Sequence, residues 1–129
     1  MKKTIMIVED TRDTAEMVEK LLKSEGYNTI VAFNGIEALD KLRDLKDKEK
    51  PDLILLDMFM PGMSGREVCE KIRADKDPFL KDIKIVFFTV ATFKEHGKQI
   101  LRELNVSDYI TKPFDIDDLL KRVQNIVGK

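Results

Sequence analysis

Short apolar runs alternate along this chain with stretches in which apolar residues recur every three or four positions. Continuous apolar runs of roughly four to six residues are typical of strands buried on both faces of a parallel sheet. The predicted strands are residues 5–8, 29–32, 53–56, 83–88 and 106–110. The pattern therefore predicts a chain in which buried strands alternate with longer amphipathic segments.

The stretches between the apolar runs have the spacing of amphipathic helices. The last is the clearest, because its apolar residues from Ile116 to Val127 share one helical face. Asp115 and Ser64 precede the last and third helices as predicted N-caps, and Gly26 is predicted to end the first. The apolar positions of the first four helices are Ala15, Val18, Leu21 and Leu22; Ile36, Leu39, Leu42 and Leu45; Val68, Cys69 and Ile72; and Phe93, Ile100, Leu101 and Leu104.

The resulting order is a strand followed by a helix, repeated five times, with longer loops predicted at residues 46–51 and 76–82. Such alternation predicts an α/β fold with a doubly wound parallel sheet and helices on both faces, joined by right-handed crossovers. With 129 residues, the chain is expected to form a single domain over residues 1–129.

Composition narrows the class of function. The 23 basic and 24 acidic residues give a net charge of −1, whereas a protein that binds nucleic acid through charge alone is clearly basic. The single cysteine, Cys69, excludes an internal disulfide. Glu9 and Asp10 interrupt the first apolar run too early for a signal peptide, and no run approaches the length of a membrane span. We therefore expect a soluble, cytoplasmic protein that binds neither nucleic acid nor membrane.

Polar residues that can carry chemistry follow four of the five predicted strands. Glu9 and Asp10 follow the first, Asp57 the third, Thr89 the fourth and Lys112 the fifth. In doubly wound sheets, ligands bind beyond the carboxyl ends of the strands, so these side chains are expected to converge.

Converging carboxylates repel one another unless a cation lies between them, and Mg²⁺ suits a site of few carboxylates that also binds phosphate. A free oxygen of Asp57 could then act as a nucleophile towards phosphorus, with Lys112 and Thr89 available to the phosphoryl oxygens. The residues thus predict a phosphoryl-transfer site.

Several motifs along nearly the whole chain closely resemble the receiver domains of two-component response regulators. They are Val8-Glu9-Asp10, Leu55-Leu56-Asp57-Met58-Phe59-Met60-Pro61-Gly62-Met63-Ser64-Gly65, Phe88-Thr89 and Tyr109-Ile110-Thr111-Lys112-Pro113-Phe114. The resemblance implies a flavodoxin-like fold with strand order 2-1-3-4-5. It also implies a signalling domain that catalyses its own Mg²⁺-dependent phosphorylation and dephosphorylation, with Asp57 as the phosphoacceptor.

The same resemblance assigns roles around Asp57. It implies Mg²⁺ bound by Asp10, Asp57 and the backbone carbonyl of Phe59, with Glu9 contacting the ion directly or through water. The other implied assignments are the switch pair Thr89 and Tyr109, the phosphate contact Lys112, and a cis peptide bond between Lys112 and Pro113.

The implied partners follow from the receiver family. The phosphoryl donor is a sensor histidine kinase or a histidine phosphotransfer protein. The output is a downstream effector protein that binds the face formed by the fourth predicted helix, the fifth strand and the fifth helix. Asp108 and Arg122 match positions through which some receivers form homodimers across that face. The chain is expected to be either a stand-alone receiver or one excised from a longer regulator.

Two other function classes use related features. A phosphatase of the haloacid dehalogenase type also has an Asp nucleophile and Mg²⁺, but it needs a second Asp where this chain has Phe59. A flavin carrier of flavodoxin type needs a phosphate loop without the acidic pair Glu9 and Asp10, and it would be coloured. Within the receiver interpretation, Phe59, Val90 and Ala91 replace residues that are usually smaller or polar, which predicts slow hydrolysis of the acyl phosphate.

Overall fold

Five strands form one parallel sheet in the order β2-β1-β3-β4-β5 in the computed structural model, which describes residues 2–90 and 95–128, with side chains at residues 2–89 and 98–128. The strands are β1 Thr4–Val8, β2 Asn28–Ala32, β3 Leu53–Asp57, β4 Lys84–Val90 and β5 Asp108–Lys112. The order changes direction at β1, as in a doubly wound sheet. The predicted flavodoxin-like fold and strand order are confirmed.

Helices connect successive strands. They are α1 Arg12–Ser24, α2 Gly35–Asp44, α3 Gly65–Arg73, α4 Pro78–Lys81, α5 Glu95–Glu103 and α6 Ile116–Val127, with a 3-10 helix at Asp47–Glu49 between α2 and β3. The loops predicted at residues 46–51 and 76–82 need correction, because the first contains the 3-10 helix and the second contains α4. Asp77 caps this helix and Pro78 occupies its first position, but four residues are too few to show a helical period.

Alternate strand residues enter the two layers of the core. Met6 and Val8 of β1 face a cluster that includes side chains of α2 and α3, whereas Ile5 and Ile7 face a cluster that includes side chains of α1 and α6. All of these β1 side chains are fully buried. Burial on both faces explains why the strands are continuous apolar runs in the sequence.

The predicted helix ends agree with the structure. Ser64 and Glu67 form a capping box at the start of α3, and the Asp115 carboxylate accepts a hydrogen bond from the Asp118 backbone N–H at the start of α6. Gly26, just after α1, has a φ of +92°, which favours glycine. Local capping chemistry thus determines these boundaries.

Other expectations need correction. Ile36 and Ile116, assigned to apolar helix faces, are 62% and 46% exposed. Strand β5 begins two residues later than predicted, because Val106 directly follows the turn at residues 104–105 and its N–H donates to the Leu101 carbonyl rather than to a strand. Cys69, on the predicted apolar face of α3, is fully buried, and burial raises the pKa of its thiol to about 11. Among the described residues, no helix has the length and apolar character needed to cross a bilayer.

Candidate functional site

The strand register brings the ends of β1, β3, β4 and β5 to one edge of the sheet, here called the carboxyl edge. Val8 pairs with Leu56, Asp57 with Phe88, and Val90 with Lys112. Residues that directly follow or end these strands therefore lie side by side, although up to 103 positions separate them in the sequence.

Three carboxylates meet at the carboxyl edge. Glu9, Asp10 and Asp57 each place an oxygen within 4.8 Å of the others. Glu9 is completely buried, Asp57 is 4% exposed, and Asp10 is exposed. Asp10 does not cap α1, because the N-cap position belongs to Thr11. The carboxyl group of Asp10 is therefore not committed to the helix end.

Lys112 reaches the cluster from the end of β5. Its ammonium nitrogen lies 2.5 Å from Glu9 Oε1 and 3.4 Å from Asp57 Oδ2. Burial opposes its charge, but the hydrogen bond to Glu9 and the attraction of both carboxylates outweigh this effect and raise its pKa. Lys112 is therefore a fixed positive charge beside Asp57.

The two buried carboxyl groups differ in protonation. Burial, together with the hydrogen bond and repulsion from Glu9, raises the pKa of Asp57 to about 7, although Lys112 opposes the shift. Burial also disfavours ionisation of Glu9, but its hydrogen bonds with Asp57 and Lys112 prevail and lower its pKa. Without a cation, Glu9 carries the charge and Asp57 holds a proton until neutral pH.

The chemistry of this cluster fits a hard divalent cation. Glu9 Oε2 is buried and has no hydrogen-bond partner among the described residues, and a buried carboxylate oxygen without a partner is costly. Oxygen donors from Glu9, Asp10 and Asp57 are the ligand type that Mg²⁺ prefers. A bound cation would satisfy the free oxygen and relieve the repulsion that raises the pKa of Asp57.

The predicted switch residues lie on neighbouring strands. Thr89 is 1% exposed, and its Oγ1 has no hydrogen-bond partner among the described residues. Tyr109 is half-buried on β5 and packs against the same apolar cluster as Ile100 and Leu101 of α5. The geometry thus places an unsatisfied hydroxyl near the carboxyl edge and an aromatic ring beside α5.

The loop after Asp57 is held by main-chain hydrogen bonds. The N–H of Phe59 donates to Asp57 Oδ1 at 3.2 Å, and the N–H of Gly65 donates to the Met58 carbonyl at 2.9 Å. A Cβ atom on Gly65 would overlap the Asp57 carbonyl oxygen. No local sequence signal reveals this close approach, because it depends on where the fold places the main chain of Asp57 and Met58.

A family model for the response regulator receiver domain matches residues 5–124. The chain belongs to this family. Similar solved structures include the chemotaxis protein CheY4 of Vibrio cholerae, with 28% identity, coverage of 98% of this chain and 99% of that chain, and a TM-score of 0.86. A putative response regulator from Chloroflexus aurantiacus has 32% identity, coverage of 100% of both chains and a TM-score of 0.84.

A third similar structure shows a metal. The receiver domain of a sensor histidine kinase from Pseudomonas aeruginosa was solved with a magnesium ion coordinated in its active site cleft; it has 25% identity, coverage of 100% of both chains and a TM-score of 0.81. The family assignment favours the receiver interpretation over the phosphatase and the flavin carrier.

Aromatic contacts near the carboxyl edge of this receiver were not predicted. The Arg12 guanidinium lies 4.3 Å from the centre of the Phe33 ring, and the Phe88 ring stacks on that of Phe114 at 5.6 Å. Lys112 Nζ lies 6.0 Å from the centre of the Phe88 ring. These rings come from distant parts of the sequence, so their pairing depends on the fold.

The remaining predicted features of the receiver can be placed in part. The peptide bond between Lys112 and Pro113 is cis. The Phe59 side chain is 60% exposed beside Asp57. Ala91 and the side chain of Val90, both expected to slow hydrolysis, lie outside the described residues.

Proposed function

We propose that this receiver accepts a phosphoryl group on Asp57 from a phosphohistidine in a sensor histidine kinase or a histidine phosphotransfer protein, in a reaction that requires Mg²⁺. The observation that carries the proposal is the cluster of Glu9, Asp10 and Asp57 with Lys112 at its side. It combines a nucleophile, oxygen ligands for a cation, and a positive charge near the acceptor oxygen.

Asp57 is the nucleophile. One of its carboxylate oxygens forms a bond to phosphorus while the bond between phosphorus and the histidine nitrogen breaks. The electron pair of that bond returns to the imidazole, which takes up a proton. The product is an acyl phosphate on Asp57. Because Oδ1 accepts a hydrogen bond from the Phe59 N–H, the carboxylate is already oriented before the donor arrives.

The neighbouring residues stabilise charge and orient the group. Mg²⁺, held by Glu9, Asp10, Asp57 and the Phe59 backbone carbonyl, would supply positive charge to the phosphoryl oxygens. Lys112 contributes a second positive charge from its place beside Asp57 Oδ2. The hydroxyl of Thr89 lacks a partner among the described residues, so it is available as a donor to a phosphoryl oxygen.

The output is proposed to pass through the face formed by α5, β5 and α6. Movement of the Thr89 hydroxyl towards the phosphoryl group would leave space for the Tyr109 ring, which already packs beside α5. A downstream effector would bind the altered face. Dimerisation there stays a prediction, because Asp108 and Arg122 already form a 2.6 Å ion pair within the chain.

Intact mass after treatment with acetyl phosphate tests the proposal. The parent should gain one phosphoryl group with Mg²⁺ and none with a chelator. Asp57→Asn should gain none, because the amide is not a nucleophile. Asp40→Asn, which changes an exposed carboxylate on α2, is the matched control and should react like the parent. A phosphorylated Asp57→Asn protein would show that the acceptor is a different residue.

A further inference from the structure

Arg73, the last residue of α3, donates four hydrogen bonds to main-chain carbonyls. Its Nε donates to the Leu104 carbonyl at 2.7 Å and its Nη2 to the Asn105 carbonyl at 3.0 Å. Its Nη1 donates to the carbonyls of Lys81 and Ile83 at 2.7 and 2.8 Å. One half-buried side chain thus connects three separate parts of the receiver.

Two of these carbonyls lie directly after α5. The last carbonyls of a helix have no partner within it, and the negative end of the helix dipole favours a cation there. Asn105 has a φ of +52°, so the chain turns sharply at this point before entering β5. The guanidinium of Arg73 therefore caps the C-terminal end of α5 from a neighbouring helix.

The other two carbonyls fix the position of this cap. Lys81 is the last residue of α4, and Ile83 immediately precedes β4. Both belong to the edge where the parallel strands begin, here called the amino edge. Helix α5 follows β4, so it begins on the side of Thr89 and ends at Arg73. Its two ends thus lie at opposite edges of the sheet.

We propose that Arg73 is the pivot of the switch, a positioning residue that fixes the C-terminal end of α5 while events at Asp57 move the opposite end. This inference rests on the proposed function. A helix fixed at one end responds to a displacement near Thr89 by tilting rather than by sliding. The displacement is then transmitted to the face of α5 and β5 that contains Tyr109.

The pivot requires arginine. A planar guanidinium has five donors in a rigid arrangement, which suits four carbonyls around one point, whereas a lysine ammonium has three donors on a flexible stem. The chain also offers a matched control. Arg66 lies in the first turn of the same helix and pairs with Glu103 of α5 at 3.7 Å, but both side chains are about half exposed. Such exposed pairs contribute little to structure.

Hydrogen exchange in the untreated protein tests the anchor independently of phosphorylation. The relevant amides are those of Leu104 and Val106, which donate to the Ile100 and Leu101 carbonyls. We expect Arg73→Met to accelerate their exchange by about tenfold or more relative to the parent. Arg73→Lys should have an intermediate effect and Arg66→Met almost none. Equal exchange in Arg73→Met and Arg66→Met would overturn the proposal.

A second measurement separates a pivot from general stabilisation. Beryllofluoride with Mg²⁺ mimics the phosphoryl group, and quenching of tyrosine fluorescence in a Tyr27→Phe background reports the exposure of Tyr109. We expect the beryllofluoride-induced change in exposure to be at least about twofold smaller in Arg73→Met. Ile72→Val, which removes one methylene from the adjacent buried residue, controls for lost stability and should retain the full change.

The two measurements distinguish the possible failures. A parent that shows no response to beryllofluoride contradicts the proposed function, and hydrogen exchange then still decides whether Arg73 anchors α5. A normal parent response with an equal loss in Arg73→Met and Ile72→Val contradicts the pivot alone.

Discussion

The two edges of the sheet differ in how well their polar groups are paired. At the carboxyl edge, three carboxylates crowd together, and both Glu9 Oε2 and Thr89 Oγ1 are buried without partners among the described residues. At the amino edge, the polar groups are matched. Arg73 donates to four carbonyls, Lys50 binds both Asp47 and Asp77 at 2.8 Å, and the Tyr27 hydroxyl donates to the Gly128 carbonyl.

In this sheet, the groups available for binding lie at the carboxyl edge, and the groups that stabilise the fold lie at the amino edge. Unsatisfied groups at the carboxyl edge reduce the stability of the metal-free protein, and a cation and a phosphoryl group can recover that free energy on binding. The hydrogen-bonded groups at the amino edge stabilise the fold while groups at the carboxyl edge change their contacts on binding. Removing an unsatisfied group at the carboxyl edge should therefore raise stability, whereas removing a matched group at the amino edge should lower it.

The largest effect is expected at Gly65. In Gly65→Ala the new methyl group would overlap the main chain of Asp57 and Met58, which cannot move without displacing β3. We expect a loss of about 3 kcal/mol in the free energy of unfolding and a strong loss of phosphorylation. Urea denaturation and intact mass provide the measurements. Gly62→Ala is the control, because space is open there and only a φ of +77° opposes it, at about 1 kcal/mol. Equal losses would mean that the close approach is unimportant.

Removing the buried acid at position 57 should raise stability. Folding raises the pKa of Asp57 from 3.8 to about 7, so the protonated form stabilises the fold, and this contribution is lost as pH rises from about 4 to 7. In chelator, Asp57→Asn should therefore gain on the order of 2–4 kcal/mol over the parent at pH 8 relative to pH 4.5. Urea denaturation at both pH values measures the gain. Parallel pH profiles for the parent and Asp57→Asn would contradict the raised pKa of Asp57.

A comparison with Asp10→Asn sharpens this result. Asp10 is exposed, so its substitution should leave the metal-free melting temperature level or slightly higher. A clear drop in the melting temperature of metal-free Asp10→Asn would show instead that Asp10 is a structural residue.

At the amino edge, the loss of one matched group should cost stability. Tyr27 is 5% exposed, and its hydroxyl donates to the Gly128 carbonyl at 2.9 Å. Tyr27→Phe removes that bond and leaves the carbonyl beside the ring, so we expect a loss of about 1 kcal/mol in thermal or urea denaturation. The rate of phosphorylation by acetyl phosphate should stay the same. A changed rate would mean that this hydrogen bond also affects the site at the carboxyl edge.

The smallest effect concerns the lifetime of the acyl phosphate. Phe59 is 60% exposed beside Asp57 and cannot hydrogen-bond a water molecule. In Phe59→Asn an amide could position water for attack on phosphorus, so hydrolysis should become several-fold faster. Phe79→Asn is a matched control, since Phe79 is 57% exposed on α4 at the other edge. Decay of the phosphorylated mass after removal of acetyl phosphate measures both rates, and identical decay in the two variants would contradict this explanation.

Much of the fold could be predicted because the relevant signals are local. Apolar runs located all five strands to within two residues at each boundary, and Ser64, Asp115 and Gly26 located helix ends. The short helix α4 escaped prediction because four residues show no period. Ile36 and Ile116 were misplaced because a helical pattern shows which residues share a face but not how much of that face is covered.

The sequence by itself determined which chemical groups would stand at the strand ends, because strand length and the following residue are both local. Only the tertiary structure decided their relations. The distance of 3.4 Å between Lys112 and Asp57, the raised pKa of Asp57, and the convergence of four carbonyls on Arg73 all depend on contacts between segments far apart in the sequence. Burial and electrostatic coupling act through space, so they arise only when the sheet brings those segments together.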